Sequence, residues 1–333
     1  MAQDSCKQLS RATSIKSCGR PPGSVKSPGT ITFFLLTGRG FRIFLTILSR
    51  MDQSQSRPAE GAVSDAPPAP ARLPRSIAIV ADRIRWRVRP DLDSPGLRRI
   101  LGAPDATLAA SPDQMAHSKL VTMARLPPLV PSGAPLLMRR LNYGRFRHWL
   151  RDTFRPTRAE RAFRFGWELE VLGIPTARVY AAGVERRLRH PVRAYLITEF
   201  VTRATTLHEL FAHQKTLSGV QLKNLASCLA RLHRAGYSQR DLKAYNILMV
   251  DSVNPCFIDL DGVQKFPVIT ESLAVRDLAR LSQEFLGQPR EFQRLAPRFL
   301  KHYCQVRGRP GDFRVLHDKV LRKLGSRYAV PSR

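Results

Sequence analysis

Acidic residues are scarce in this chain of 333 residues, where 26 Asp and Glu stand against 55 Lys and Arg and leave a formal net charge of +29. A surface with this excess of positive charge attracts polyanions, so the candidate partners are nucleic acid, an anionic membrane face and a phosphorylated glycolipid. The hydrophobic fraction of 43% is sufficient for a buried core, and the length allows one large domain or two small ones.

Cysteines are few, and long apolar runs are missing. The five cysteines form no Cys-x-x-Cys pair and no cluster with histidine, which argues against a zinc site or a disulfide framework and favours reduced thiols in the cytoplasm. Residues 31–36 and 44–48 are apolar, but neither run approaches the roughly twenty residues of a membrane-spanning helix. No Ala-x-Ala cleavage site directly follows them. We therefore expect neither a transmembrane anchor nor a secretory signal.

The first 75 residues differ in composition from the remainder. Residues 1–50 are basic, Met51 begins a polar stretch, and residues 52–75 are rich in Pro and Ala. We predict that residues 1–75 form a disordered basic extension and linker, or that translation begins at Met51 and the preceding residues are not made.

Alternating side chains predict a sheet after this linker. Ile84, Trp86 and Val88 alternate with arginines, which indicates a strand with one apolar face and one basic face. Strand patterns recur at residues 120–126 and 135–141, with a proline-rich turn between them.

Helical periodicity dominates the second half of the chain. Leucines recur at helical spacing between residues 222 and 232, and residues 271–285 predict a second long helix. The predicted fold is therefore α+β with two lobes, a small β-rich lobe at residues 76–201 and a larger helical lobe at residues 202–333.

Three side chains carry the strongest chemical signal. Asp241 is followed five residues later by Asn246 and thirteen residues after that by Asp259. Phosphoryl transfer from a Mg-nucleotide uses this order, because the first acid accepts or orients the proton of the attacking hydroxyl while the amide and the second acid hold the metal. Apolar runs on either side of a turn predict a hairpin that brings Asn246 and Asp259 to the same end. Asp261 is interpreted as a turn residue.

At these residues the sequence resembles the protein-kinase-like superfamily and, more narrowly, the lipopolysaccharide kinase family of bacterial Kdo and heptose kinases. The resemblance extends over about residues 115–285 and implies a two-lobed protein-kinase-like fold. The segments that carry it are LGIPTA at 172–177, YLITE at 195–199, LHRAGY at 232–237, RDLKAYNIL at 240–248 and FIDLD at 257–261.

The resemblance also implies a function. It predicts an ATP-dependent kinase that uses Mg²⁺ and phosphorylates a sugar hydroxyl of the lipopolysaccharide inner core. The expected partners are that core glycolipid and an anionic membrane surface, and nucleic acid is not expected. The enzyme would then lie in the cytoplasm, peripherally on the cytoplasmic face of the inner membrane. The sequence leaves the oligomeric state open.

Four roles in the second lobe follow from the resemblance. Asp241 would be the catalytic base, Lys243 would neutralise charge on the transferring phosphate, and Asn246 and Asp259 would bind Mg²⁺. Gln239 stands where the family pattern has histidine, and we expect this change to remove only a packing and hydrogen-bonding support of the loop.

Nucleotide contacts are placed in the first lobe. The cation for the phosphates falls at Arg139 or Arg140, where the kinase pattern has lysine, and a solvated basic strand residue is the alternative for Arg139. At the end of an apolar strand, Thr198 would guard the adenine pocket, while Glu199 and Val201 would offer main-chain groups.

Three further expectations concern the surroundings of the nucleotide. A helix beginning near residue 156 would supply the glutamate that pairs with the strand cation, either Glu160 or Glu168, although Glu160 also has the spacing of a helix cap. The covering turn would be the glycine-poor segment 111–118. The pattern at residues 146–155, with arginines beside an apolar stripe, predicts a helix with either a phosphate-binding patch or a solvated basic face.

Two other hypotheses stay open. The same chemistry could serve a protein Ser/Thr or a small molecule such as an aminoglycoside. Alternatively, Arg139, Gln239 and the missing glycines suit a pseudokinase or a basic binding module. Mg-dependent affinity for ATP separates the last hypothesis from the other two.

Overall fold

The computed structural model describes residues 75–143 and 155–325 with their side chains, and residues 30–37 and 41–48 as backbone only. Strands β1 (Thr30–Thr37) and β2 (Phe41–Leu48) pair antiparallel inside the predicted N-terminal extension, whose disorder stays a prediction. The amphipathic helix predicted around residues 146–154 lies outside the described residues.

A seven-stranded antiparallel sheet forms the first lobe, in the order β3-β4-β8-β9-β7-β6-β5. Side chains alternate between its two faces, so that Tyr195 and Ile197 of β9 pack into one apolar cluster while Ala194 and Leu196 pack into another. The strands are β3 (Ile77–Ala81), β4 (Ile84–Val88), β5 (Asp113–His117), β6 (Val121–Leu126), β7 (Leu136–Asn142), β8 (Val179–Arg187) and β9 (His190–Glu199).

Helices cover both faces of this sheet. On one face, α1 (Pro95–Gly102) and α2 (Pro104–Ala110) bury their leucines against the strands. On the other face, α3 (Arg158–Val171) joins the sheet to the core of the second lobe. Thr157 and Glu160 start α3 with a capping box, as their spacing predicted.

The strand pattern of β4 is confirmed with one exception. Its apolar residues are buried while Arg85 and Arg87 are exposed. Arg89, predicted on the exposed basic face, follows the end of the strand and is buried, where the carboxylates of Asp91 and Glu170 bind its guanidinium.

The covering turn predicted at residues 111–118 is wrong. Most of that segment is strand β5, paired with β6. The chain turns after it, where the N–H of Ser118 donates to the carbonyl of Val121 at 2.8 Å and the Ser118 hydroxyl accepts from the N–H of Val121 at 3.0 Å. The side chain and backbone of a serine therefore close this turn.

Helices and two small sheets form the second lobe, which confirms the predicted two-lobed α+β architecture. Gly236 follows the central helix α5 (Gly219–Arg234) with φ +82°, and a Cβ there would lie 2.4 Å from the carbonyl oxygen of Phe266, so this position requires glycine. The small sheets have the orders β10-β12-β13 and β11-β14. The strands are β10 (Ala204–Thr206), β11 (Tyr237–Gln239), β12 (Ile247–Val250), β13 (Asn254–Phe257) and β14 (Val263–Lys265). The helices are α4 (Leu207–Gln214), α5 (Gly219–Arg234), α6 (Glu271–Ser282), α7 (Pro289–Val306) and α8 (Phe313–Gly325).

None of the helices in the described part of the chain has the length and apolarity to cross a membrane.

We predict that Gly183→Ala destabilises the first lobe. Gly183 lies opposite Trp86 in the β4–β8 pair, and a Cβ there would lie 2.5–2.7 Å from three ring carbons of this fully buried indole. Overpacking of this kind costs about 1–3 kcal/mol in the free energy of unfolding, measured by chemical denaturation. Gly102→Ala is the control, because a Cβ at this helical residue meets no atom within 4 Å. Equal stability of the two variants would contradict the packing described here.

Candidate active site

The β12–β13 hairpin brings the two predicted metal ligands to one end. Ile247 pairs with Phe257, and the N–H of Ile258 donates to the carbonyl of Asn246 at 3.0 Å. Asp259 follows directly, so Asn246 and Asp259 lie next to each other at the open end of the hairpin. The backbone of Asp259 is left-handed, with φ 56° and ψ 58°, which costs about 1–3 kcal/mol for a residue with a Cβ and is typical of functional loops.

Asp241 is tied to the same end of the hairpin. The side-chain Nδ2 of Asn246 donates to the backbone carbonyl of Asp241 at 2.9 Å. This bond orients the amide so that its Oδ1 is the atom that can accept from or coordinate a ligand. The structure therefore brings Asp241, Asn246 and Asp259 together, as their order predicted.

Two cations hold the carboxylate of Asp241. Lys243 Nζ lies 3.0 Å from it, and Arg280 Nη2 of α6 lies 3.1 Å from it. Burial disfavours the ionised form, but the hydrogen bonds and charges of Lys243 and Arg280 outweigh burial and lower the pKa of Asp241. The carboxylate is therefore ionised at neutral pH and can accept a hydrogen bond from a hydroxyl.

Arg139 reaches from the sheet to the same site. Its Nη1 lies 2.8 Å from Oδ1 of Asp259, whereas Arg140 points to the other face and contacts Asp105 at 2.9 Å. The alternation along β7 thus selects Arg139 as the strand cation that faces the site. Burial opposes its charge, yet the carboxylates of Asp259 and Asp261 raise the pKa of Arg139. The ion pair links the two lobes.

Asp261 is a second acid on the loop that carries Asp259, although the sequence suggested only a turn. Burial and the neighbouring charge of Asp259 raise the pKa of Asp261. Arg158 Nε lies 3.5 Å from its carboxylate, and Arg161 Nε donates to its carbonyl at 3.3 Å. Both arginines belong to the first turns of α3. Their contacts with Asp261 therefore connect this helix to the loop.

The glutamate pairing expected from the resemblance needs correction. Glu160 accepts the N–H of Thr157 at 2.8 Å in the capping box and lies 3.3 Å from Arg186, while Glu168 accepts the hydroxyl of Tyr237 at 2.6 Å. Among the described contacts neither carboxylate binds the strand cation, because Arg139 is paired with Asp259. Glu160 is thus a helix cap here rather than a nucleotide-site residue.

The predicted hinge residues lie at the end of β9. The N–H of Glu199 donates to the carbonyl of Arg178 at 2.7 Å, so Glu199 can offer an adenine ring its carbonyl but not its N–H. Thr198 is half-buried between its partners on β7 and β8, and Val201 follows the strand end. Their contacts with a nucleotide stay predictions.

Gln239 supports the loop by a hydrogen bond, although we expected that replacing the histidine of the family pattern by glutamine would remove this support. Its Nε2 donates to the backbone carbonyl of Asp259 at 3.0 Å, and the residue is fully buried. Because Gln239 also pairs with Val263 in the β11–β14 sheet, it joins the strand before Asp241 to the loop that carries Asp259. The expectation of a lost support is corrected.

Asp277 of α6 is the residue that sequence reasoning missed. Its fully buried Oδ2 accepts from the N–H of Gln239 at 3.0 Å and from the hydroxyl of Ser238 at 2.5 Å. His233 Nε2 lies 3.3 Å from the same oxygen, and burial lowers the pKa of His233, so the ring is neutral. The sequence does mark this residue, because Asp277 lies on the apolar face of α6, at helical spacing from Ala274 and Leu281.

The side chains at the hairpin end suit Mg²⁺. Within the described ranges, no group of three or more His, Cys, Asp or Glu side chains forms a metal cluster. Mg²⁺ does not need one, since it is held by one or two carboxylates together with water and substrate phosphates. Two oxygen atoms of this kind are present, the amide oxygen of Asn246 and Oδ2 of Asp259. Arg139 contacts the other carboxylate oxygen of Asp259, Oδ1.

Comparison with known proteins adds two findings. A family model described as "Lipopolysaccharide kinase (Kdo/WaaP) family" matches residues 134–303. A solved structure of WaaP in complex with acyl carrier protein is similar to this chain, with 18% sequence identity and a TM-score of 0.49, over 71% of this chain and 98% of the WaaP chain. The search of curated proteins returned no match.

We predict that Lys243→Met raises the pKa of Asp241. The substitution removes a hydrogen bond and a positive charge that stabilise the carboxylate, so protonation occurs at a higher pH than in the unmodified protein. Carbon-13 NMR titration of labelled aspartate carboxyl groups measures this pKa directly. Lys265→Met is the control, since Lys265 lies beside Glu168. An Asp241 pKa that is the same in both variants would show that Lys243 does not support the carboxylate.

Proposed function

The chain belongs to the lipopolysaccharide kinase (Kdo/WaaP) family, whose members are phosphotransferases, and from this we propose that it transfers the terminal phosphate of ATP to a sugar hydroxyl of the lipopolysaccharide inner core. The observation that carries the proposal is the convergence of Asp241, Asn246 and Asp259 at one end of the β12–β13 hairpin. The family match supplies the acceptor class, and the +29 charge of the chain is compatible with an anionic glycolipid.

Asp241 would act on the attacking hydroxyl. Its lowered pKa keeps it ionised, so that it accepts the hydrogen bond of the hydroxyl and points the oxygen at the terminal phosphate. A carboxylate of lowered pKa is a weak base, which suits phosphoryl transfer because the loose transition state requires little proton removal before the new bond forms. Lys243, 3.0 Å from Asp241, would lie beside the transferring group and offset its charge.

Asn246 and Asp259 would hold Mg²⁺, which when bound neutralises charge on the nucleotide phosphates. For this role Oδ2 of Asp259 would face the metal, and the carboxylate would weaken its contact with Arg139, whose Nη1 lies 2.8 Å from Oδ1. Arg139 would then turn its guanidinium to the nucleotide phosphates, whose oxygens match its planar fork. Thr198, Glu199 and Val201 would border the adenine ring.

The proposed location of the enzyme in the cell follows from the acceptor. A core glycolipid is held in the membrane by its lipid part, so we propose that the enzyme is cytoplasmic and binds the inner membrane peripherally through its positive surface. Attraction of basic residues to anionic lipids supplies about 1 kcal/mol for each cation near the surface.

The ion pair between Arg139 and Asp259 favours one second candidate, a catalytically weak nucleotide-binding or basic binding module. In such a protein the arginine would keep the position that Mg²⁺ needs. Transfer of phosphate to any acceptor excludes this candidate.

We predict that Asp241→Asn leaves one phosphate missing from the inner core. The amide cannot accept the hydroxyl proton, and loss of a catalytic acid or base slows a reaction about 10²- to 10⁴-fold. The test is mass analysis of lipopolysaccharide purified from cells that carry the variant.

Asp251→Asn is the matched control, because Asp251 is an exposed acid in the turn of the same hairpin and pairs with Arg203. Wild-type and control cells are expected to show the same phosphorylated core. A fully phosphorylated core in the Asp241→Asn cells would rule out the proposed reaction.

A further inference from the structure

A cavity of about 410 Å³ opens beside Asp241 on the side formed by α6 and α8. Every residue that lines it belongs to the second lobe, and no strand of the seven-stranded sheet contributes to it. The cavity is therefore separate from Arg139 and the hinge, where the nucleotide would lie. Its charged lining consists of four cations and one carboxylate, namely Arg240, Arg276, Arg280, Lys323 and Asp241.

The cations are brought together by the packing of three elements. Arg276, Arg280 and Gln283 lie at i, i+4 and i+7, which is one face of α6 continued into the following turn. Two like charges four residues apart repel each other and disfavour a helix. Arg240 comes from the catalytic loop, and Lys323 comes from the last turn of α8.

Protein carboxylates neutralise only part of this charge. Arg276 donates Nε to Asp277 at 3.0 Å and Nη2 to Ser238 at 2.5 Å, and Arg280 donates Nη2 to Asp241 and Nη1 to Gln283. A guanidinium has five N–H donors, so these contacts leave donors on both residues. The side chain of Arg240 is exposed and forms no ion pair with a residue in the described ranges.

We propose that this cavity binds an anionic substituent, a carboxylate or a phosphate, of the sugar that is phosphorylated. The inference rests on the proposed function and adds to it the chemical class of the acceptor. Planar guanidinium groups bind both anions through paired hydrogen bonds. The volume of about 410 Å³ is large enough for a sugar ring.

The distance to the base restricts where that anion can be. Arg280 Nη2 and Asp241 Oδ1 are 3.1 Å apart. A hydroxyl bonded to this oxygen of Asp241 and an anion bonded to this nitrogen of Arg280 are therefore separated by at most roughly 9 Å, if each hydrogen bond is about 2.8 Å long. This span fits two substituents of one sugar ring or of a directly linked group. The cavity would thus select the reacting hydroxyl by its distance from the anion.

The experiment measures equilibrium binding and phosphorylation of purified core glycolipid, prepared from cells that lack the enzyme, by the full-length protein. Two variants remove charge from the cavity without touching Asp241: Lys323→Gln, and Lys323→Gln combined with Arg240→Gln. Lys319→Gln is the control, because Lys319 lies one turn earlier on α8 and pairs with Glu271 instead.

We expect Lys323→Gln to weaken glycolipid binding and to raise the acceptor KM about tenfold, the effect of losing one charge-assisted contact, with a larger effect in the double variant. The KM for ATP and the behaviour of the control should stay within twofold of the wild type. Dephosphorylated and carboxyl-reduced glycolipids identify the anion, because removal of the recognised group abolishes the difference between wild type and variants.

Two results would overturn the inference. One is unchanged glycolipid binding in both cavity variants, and the other is equal binding of the intact, dephosphorylated and carboxyl-reduced glycolipids by the wild type. The proposed function fails in a different way, if the wild type binds the intact glycolipid through these residues but transfers no phosphate to it.

Discussion

A single buried carboxylate, that of Asp277, fixes the position of the candidate catalytic loop. It accepts from the backbone N–H of Gln239 and the hydroxyl of Ser238, and these two hydrogen bonds hold β11 against helix α6. Gln239 in turn donates to the carbonyl of Asp259, and Asn246 donates to the carbonyl of Asp241. The three candidate residues thus take their positions from hydrogen bonds that lead back to one buried acid. Removing one partner of a buried charge typically destabilises a protein by about 3–5 kcal/mol, so this point of support tolerates little change.

The second constraint is the way in which the lobes are joined. In the kinase pattern a helix glutamate binds the strand cation, but here Arg139 binds Asp259, and the helix α3 contributes Arg158 and Arg161 to Asp261. Acids on the loop and cations on both neighbouring elements replace the expected arrangement. A positively charged metal at Asp259 would therefore compete with Arg139, and the displaced guanidinium would then be free to bind the phosphates of a nucleotide. Metal and nucleotide would be expected to bind as a unit.

Much of the fold could be predicted from local patterns, while the partners of charged side chains could not. The alternation in β4 and β7, the capping box of α3 and the turn signals of the β12–β13 hairpin are local, so the sequence contains them in full. The choice of Asp259 as the partner of Arg139 depends on the distance between the lobes, which no local pattern encodes. Segment 111–118 shows no regular alternation although most of it is strand β5, because that strand has a bulge between Gln114 and Ala116. Asp277 could have been noticed as a polar residue on an apolar helix face.

We propose above that Asp241, Asn246 and Asp259 form a site for a Mg-nucleotide. Titration calorimetry of ATP in the presence and absence of Mg²⁺, with the wild type and an Asp259→Ala variant, measures whether they do. We expect Mg²⁺ to strengthen ATP binding at least tenfold in the wild type and to have little effect in the variant, in which Arg139 would still face the phosphates without its acidic partner. Equal dependence on Mg²⁺ in the two proteins, or none in the wild type, would show that these side chains do not form such a site.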